Sequence, residues 1–218
     1  MVELINKAGQ LAGFTTRFVR RPWMRCQKMV SLGQAHSLFA MIKTPNRQLR
    51  YQFPRNKNNY LFRGDYVIFY NKLHGNFDYI EQLAQQLNNN EVTLPLPKFG
   101  FGGPTGYVIT KRLLAHGLLT KNVNKLPNAI RLMNKNRLDG FLIDKYIGLY
   151  QLQSNKDAQN ITHSDTVAYS DLWYAPFNKQ FYEKHKKEID KFWSVLPELR
   201  NNFEQRLIAD TAKQQIDK

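Results

Sequence analysis

Cysteine is almost absent from this chain of 218 residues. The one present, Cys26, excludes an internal disulfide and any cysteine-based zinc site. With Trp23, Met24 and Val30 nearby, it reads as a small core residue. No run of about 18 apolar residues occurs, so no spanning helix is expected. The opening MVELINKAGQ has neither a basic leader nor an apolar core, and no signal peptide is expected there. Catalytic signatures are missing too: there is no HExxH, no Walker loop, no GxSxG elbow and no kinase signature. The five histidines (His36, His74, His116, His163 and His185) show no close pairing, and no metal or cofactor is expected. Acidic residues are scarce, 17 against 32 Lys and Arg, giving a formal +15.

Apolar residues make up 42% and charged residues 22%, which fits a globular domain able to bury a sizeable core. The basic field favours anionic surfaces in general. The charge reads as spread along the chain. Its nearest approach to a block is Lys184, Lys186, Lys187 and Lys191, interrupted by Glu183, Glu188 and Asp190, and that pattern suits one solvated helix face. Aromatics fall mostly at core spacings, so no specific nucleic-acid partner is expected.

Hydrophobic spacing maps the elements. Helices are expected over residues 2–12, from Pro22 to Gly33, over 78–88, from Pro104 to Gly117 and around Leu126, Ile130 and Met133. Two more should close the chain, joined near Pro197, the first burying Phe181, Ile189, Phe192 and Trp193 and the second Leu199, Phe203 and Leu207. Strands are expected at 15–19, 37–42, 66–70, 98–103, 138–143 and 172–177, with polar loops at 43–55 and 153–165. FGFGGPTG (99–106) lacks both the full GxGxxG pattern and the Lys-Ser/Thr ending of a phosphate loop. It reads as a glycine turn presenting a helix N-terminus. The alternation indicates an α/β fold with mixed, mostly parallel sheets flanked by helices.

Three segments resemble one family. PWMRCQKMVSLGQAHSLFAMIKTPNR (22–47) is similar to the "PW-x-R-C…G…TPxR" stretch of extracellular solute-binding proteins of family three, the type-two periplasmic binding proteins. NAIRLMNKNRLDGFLIDKYIG (128–148) resembles that family's "gRiDg…D" stretch. YAPFNKQFYEKHKKEIDKFWSVLPELR resembles its closing strand and terminal helices. The resemblance implies two α/β lobes, 1–63 with 176–218 and 64–175, and a ligand cleft between them. It places the family's first strand ahead of residue 2.

What the resemblance implies for function is a non-catalytic receptor that traps an amino acid or small carboxylate for a membrane ABC permease, acting as a monomer in the periplasm. Arg47, closing the TPNR motif, corresponds to the arginine that grips a carboxylate through two parallel donors. Asp144 corresponds to the aspartate that receives the ligand's ammonium, and its position suits a helix N-cap equally. Thr44, Thr105 and Trp23 would line the site, with Arg25 and Tyr107 as further candidates. Ile42 stands where the family has a small polar residue, and His36 where it commonly has an aspartate. The same fold also implies alternatives: a sensory or regulatory ligand-binding module, a dehydratase of cyclic amino acids, or a truncated relative that binds nothing.

Overall fold

The computed structural model describes residues 1–120, 123, 125–203 and 205. In chain order the elements are α1 (Val2–Ala12), α2 (Trp23–Ser31), β1 (Met41–Ile42), α3 (Pro45–Gln48), β2 (Tyr51–Gln52), β3 (Phe62–Asn71), α4 (Phe77–Asn88), β4 (Phe101–Gly102), α5 (Val108–Ala115) and α6 (Leu126–Asn134). They continue with β5 (Gly140–Asp144), α7 (Lys145–Gln153), β6 (Ile161–His163), β7 (Tyr169–Tyr174), β8 (Phe177–Asn178), α8 (Lys179–Lys184) and α9 (Lys186–Ser194). Helix resumes over 196–203. The expected Leu207 lies outside the described residues.

The chain divides into two compact units. Unit one holds Met1–Arg63 and the chain from Leu172 onward, and unit two is Gly64–Asp171. The chain re-enters unit one at Leu172 rather than after residue 175, because Trp173 and Tyr174 already pair antiparallel with Ile42 and Met41 of β1.

Unit one has two apolar clusters. In the first, Leu4, Ile5, Ala8 and Ala12 share one face of α1 and meet Ile189, Phe192 and Trp193 of α9. The spacing of those side chains dictates the helix, and Gly13 ends it at φ 88, a conformation that glycine adopts without steric cost. In the second, Val30, Leu38, Met41, Tyr51, Phe53 and Tyr174 pack together, with Trp23 and Cys26 at the margin. The strand expected at 15–19 is not formed. That segment is irregular, with Phe14 stacked on Phe192 and the Thr16 hydroxyl donating to Asn6 Oδ1. The strand expected at 37–42 shrinks to two residues because Ala40 sits at φ 61, which breaks the extended run. The expected polar loop 43–55 contains α3 and the short ladder of β2 with β8.

In unit two, β3 pairs antiparallel with β5 and with β6, and β4 pairs parallel with β5. The α/β class and the mixed sheet hold, but among the described pairings of this unit antiparallel ones outnumber the parallel one. Burial on both faces, as in Tyr66–Tyr70, is satisfied by either direction once helices cover both sides, so the apolar run alone does not set polarity. Val67, Phe69, Leu126, Ile130, Met133 and Phe141 form the core here. α7 lies tight against β3 at Gly148, where an added Cβ would fall 2.2 Å from Phe69 Cζ. The polar stretch 153–165 is not all loop, since it supplies β6.

Candidate functional site

In unit one the TPNR motif forms α3. Thr44 is its N-cap, its hydroxyl oxygen accepting from the Arg47 N–H at 3.3 Å, and Pro45 occupies the first turn, where a missing N–H costs nothing. The Arg47 guanidinium turns back so that Nη1 donates to the Ile42 carbonyl at 2.9 Å. Its Cζ lies 5.9 Å from the centre of the Trp23 ring, a cation–π contact. β1, α2 and α3 therefore hold Thr44, Arg47 and Trp23 together as one half-buried group. Trp23 also borders the second apolar cluster, so it serves both core and site. Arg25 is different. Residues two apart point to different sides of a helix, and Arg25 lies on the exposed side of α2, away from the Trp23 face.

In unit two, Asp144 ends β5 and caps α7. Its Oδ1 accepts from the Ile147 N–H at 3.0 Å, and the backbone N–H groups of Tyr146 and Asp65 also serve the carboxylate. Only 3% of the residue is exposed. Burial pushes the Asp144 carboxyl above its ordinary value, the Ile147 and Tyr146 N–H groups pull it back, and the Asp65 charge adds to the rise. Tyr66 faces Asp144 across the β3–β5 ladder, and the Ser170 hydroxyl donates to Asp65 Oδ1.

Thr105 and Tyr107 belong to a turn rather than to a helix. The Tyr107 N–H donates to the Pro104 carbonyl at 3.3 Å, with Gly106 between them at φ 80. A residue at positive φ cannot continue a right-handed helix, so α5 starts at Val108 instead of Pro104. Thr105 is exposed and Tyr107 half-buried.

A third charged group escapes sequence reasoning. Arg112 on α5 forms a bidentate ion pair with Asp171 at 2.6 and 2.9 Å, and its Cζ lies 4.7 Å from the Tyr169 ring centre. Burial opposes the guanidinium charge, and the hydrogen bonds and charge of Asp171 outweigh it, so the Arg112 pKa is raised overall. The Tyr169 hydroxyl is buried with no hydrogen-bond partner among the described residues, and burial pushes it up to about 12. Arg112 and Asp171 are 59 residues apart, and neither falls in a motif. Their only sequence signal is polarity at the rim of an amphipathic helix and of a strand.

Together these elements define the fold of type-two periplasmic binding proteins. Among solved structures the chain is similar to the sensor domain of a histidine kinase resembling periplasmic binding proteins. That match has a TM-score of 0.70 and 15% identity, over 96% of this chain and 83% of that one. It is also similar to an ancestral arginine-binding protein bound to glutamine, with TM-score 0.66 and 16% identity over 94% and 84% of the two chains. A third is a substrate-binding protein of an ABC uptake transporter from Streptococcus pneumoniae with bound histidine, with TM-score 0.60 and 14% identity over 90% and 78%. No family model and no curated protein matches the sequence.

Proposed function

We propose that the chain is a non-catalytic receptor for a small amino acid or carboxylate. Arg47 takes the carboxylate as a two-pronged donor, Asp144 takes the ammonium, and Thr44, Trp23, Thr105 and Tyr107 supply the remaining contacts. The observation that carries this reading is the Asp144 environment. This carboxylate is buried at the start of α7 with the Asp65 charge nearby, so an incoming cation would offset both its desolvation and that repulsion. Support also comes from the similar solved structures that hold histidine or glutamine. Delivery to an ABC permease from the periplasm is the transport form of this proposal. Likeness to a histidine kinase sensor domain favours a second form, in which the same binding event feeds a signal.

The test is thermal unfolding against a panel of amino acids and small carboxylates. Ligand at ~100 times its dissociation constant adds about 2.7 kcal/mol, which for a chain of this length raises the midpoint by roughly 5–10 °C. We expect one ligand class to do so and Arg47→Ala to abolish the shift while leaving the unliganded midpoint near the parent value. No shift with any compound, or a shift that survives Arg47→Ala, overturns the proposal. Restoration of ligand uptake through a permease separates the transport form from the sensory one.

A further inference from the structure

The charge is far less even than the mixed run at 184–191 suggests. Between Glu3 and Asp65 the chain carries twelve Lys and Arg and no Asp or Glu. Part of this acid-free stretch lies on the outer side of α2. Met24, Lys28 and Leu32 follow one another at four-residue spacing, with Arg25 beside them. Met24 is 54% and Leu32 60% exposed. Leu32 then opens onto a shallow depression of about 460 Å³ that also holds Leu49, which is 77% exposed, and Arg50; among the described residues no acidic one lines it. The exposed Val19, Arg20 and Arg21 lead into the same helix.

Singly exposed aliphatic side chains need no explanation, but Met24 and Leu32 share one helix face and Leu32 and Leu49 one depression, and such grouping marks an interaction surface. A nucleic-acid surface would want exposed aromatic rings on which bases stack. The apolar groups on this helix face and its depression are Met and Leu, which seat at the boundary between lipid headgroups and acyl chains. Each Lys or Arg held beside an anionic leaflet adds attraction. From this combination we infer that the outer face of α2, with Leu49 and Arg50, docks on a bilayer containing anionic phospholipid. Trp23 and Arg47 lie on the other side of the helix and are not involved.

Co-sedimentation of the full chain with vesicles tests this. Binding is expected to vesicles of phosphatidylcholine mixed with phosphatidylserine, to be absent with phosphatidylcholine alone, and to weaken as salt is raised. The variant Arg25→Glu/Lys28→Glu/Arg50→Glu should lose at least about tenfold in binding. The variant Met24→Ser/Leu32→Ser/Leu49→Ser should lose vesicle binding severalfold while leaving any binding to single-stranded DNA unchanged. Circular dichroism of both variants confirms that they are folded. Failure to bind the mixed vesicles overturns the proposal. So does unchanged vesicle binding by the serine variant, which would reduce the surface to a general polyanion site.

Discussion

Asp144 has two duties that a pair of substitutions can pull apart. Asp144→Asn keeps an acceptor at the N-cap of α7 and removes the buried charge, whereas Asp144→Ala removes both. Loss of the cap costs about 1 kcal/mol, within a range of roughly 0.5–2. In a chain of this length each kcal/mol is worth about 2–4 °C. The alanine variant should therefore unfold a few degrees below the parent. The asparagine variant behaves differently, for a reason of sign. The folded carboxyl titrates above its ordinary 3.8, through burial first. It therefore binds its proton more tightly in the folded chain than in the unfolded one. That contribution favours folding at low pH and is lost as pH rises through the folded value. Asparagine, which never ionises, escapes the loss. At pH 7 its midpoint should equal or exceed the parent's, and near the unfolded value of 3.8 the advantage should vanish. Thermal melts of the three proteins across this interval provide the assay. If asparagine destabilises at pH 7 as much as alanine does, the charge itself supports α7 and the reasoning fails. Under the proposed function, the asparagine variant should also lose the ligand-induced shift.

Two further outcomes follow from packing and charge. Gly148→Ala would put a carbon 2.2 and 2.3 Å from two Phe69 ring atoms, where carbons normally sit ~3.5–4.0 Å apart. Overpacking of about 1–3 kcal/mol exceeds the roughly 1 kcal/mol gained in helix propensity, so urea denaturation should show a lower midpoint; an unchanged one would mean that Phe69 yields freely. Arg112→Met strands Asp171, whose side chain is 11% exposed against 31% for the arginine. The loss should be about 1–3 kcal/mol, and Arg112→Met/Asp171→Leu should recover most of it, a double-mutant cycle with no coupling being the contrary result.

The sequence is readable where burial falls on one side of an element. Leu4, Ile5 and Ala8 in α1, and Ile80, Leu83, Ala84 and Leu87 in α4, announce their helices because a single stripe meets the core. α7 gives no such stripe. Gly148 is its buried residue, and the helix is held by the Asp144 cap, by Ile147, Leu149 and Leu152 packed on the core, and by the close approach of Phe69 from a distant part of the chain. Two-residue strands such as β1, β2 and β8 are too short for any alternation, and the positive φ of Ala40 has no sequence mark. Within the candidate site, Thr44 and Arg47 stand out in the sequence only through the resemblance of TPNR to a known motif, whereas the Thr44 cap on α3 emerges from the structure. The pairing of Arg112 with Asp171 has no such mark, since it depends on the tertiary fold. The acid-free stretch lies open in the sequence, yet a single net charge averages it away.

Unit one is assembled from two separated segments of the chain, whereas unit two is contiguous. On a ribosome this imposes an order. The apolar face of α1 is made early, but its partners Ile189, Phe192 and Trp193 follow only about 180 residues later. At about 5–20 residues per second, Leu4, Ile5 and Ala8 wait roughly 10–40 s for cover, long enough for unit two to collapse first. A nascent chain halted before α9 would thus carry one finished unit and one sticky, half-built one. That intermediate is the species a chaperone would be expected to hold.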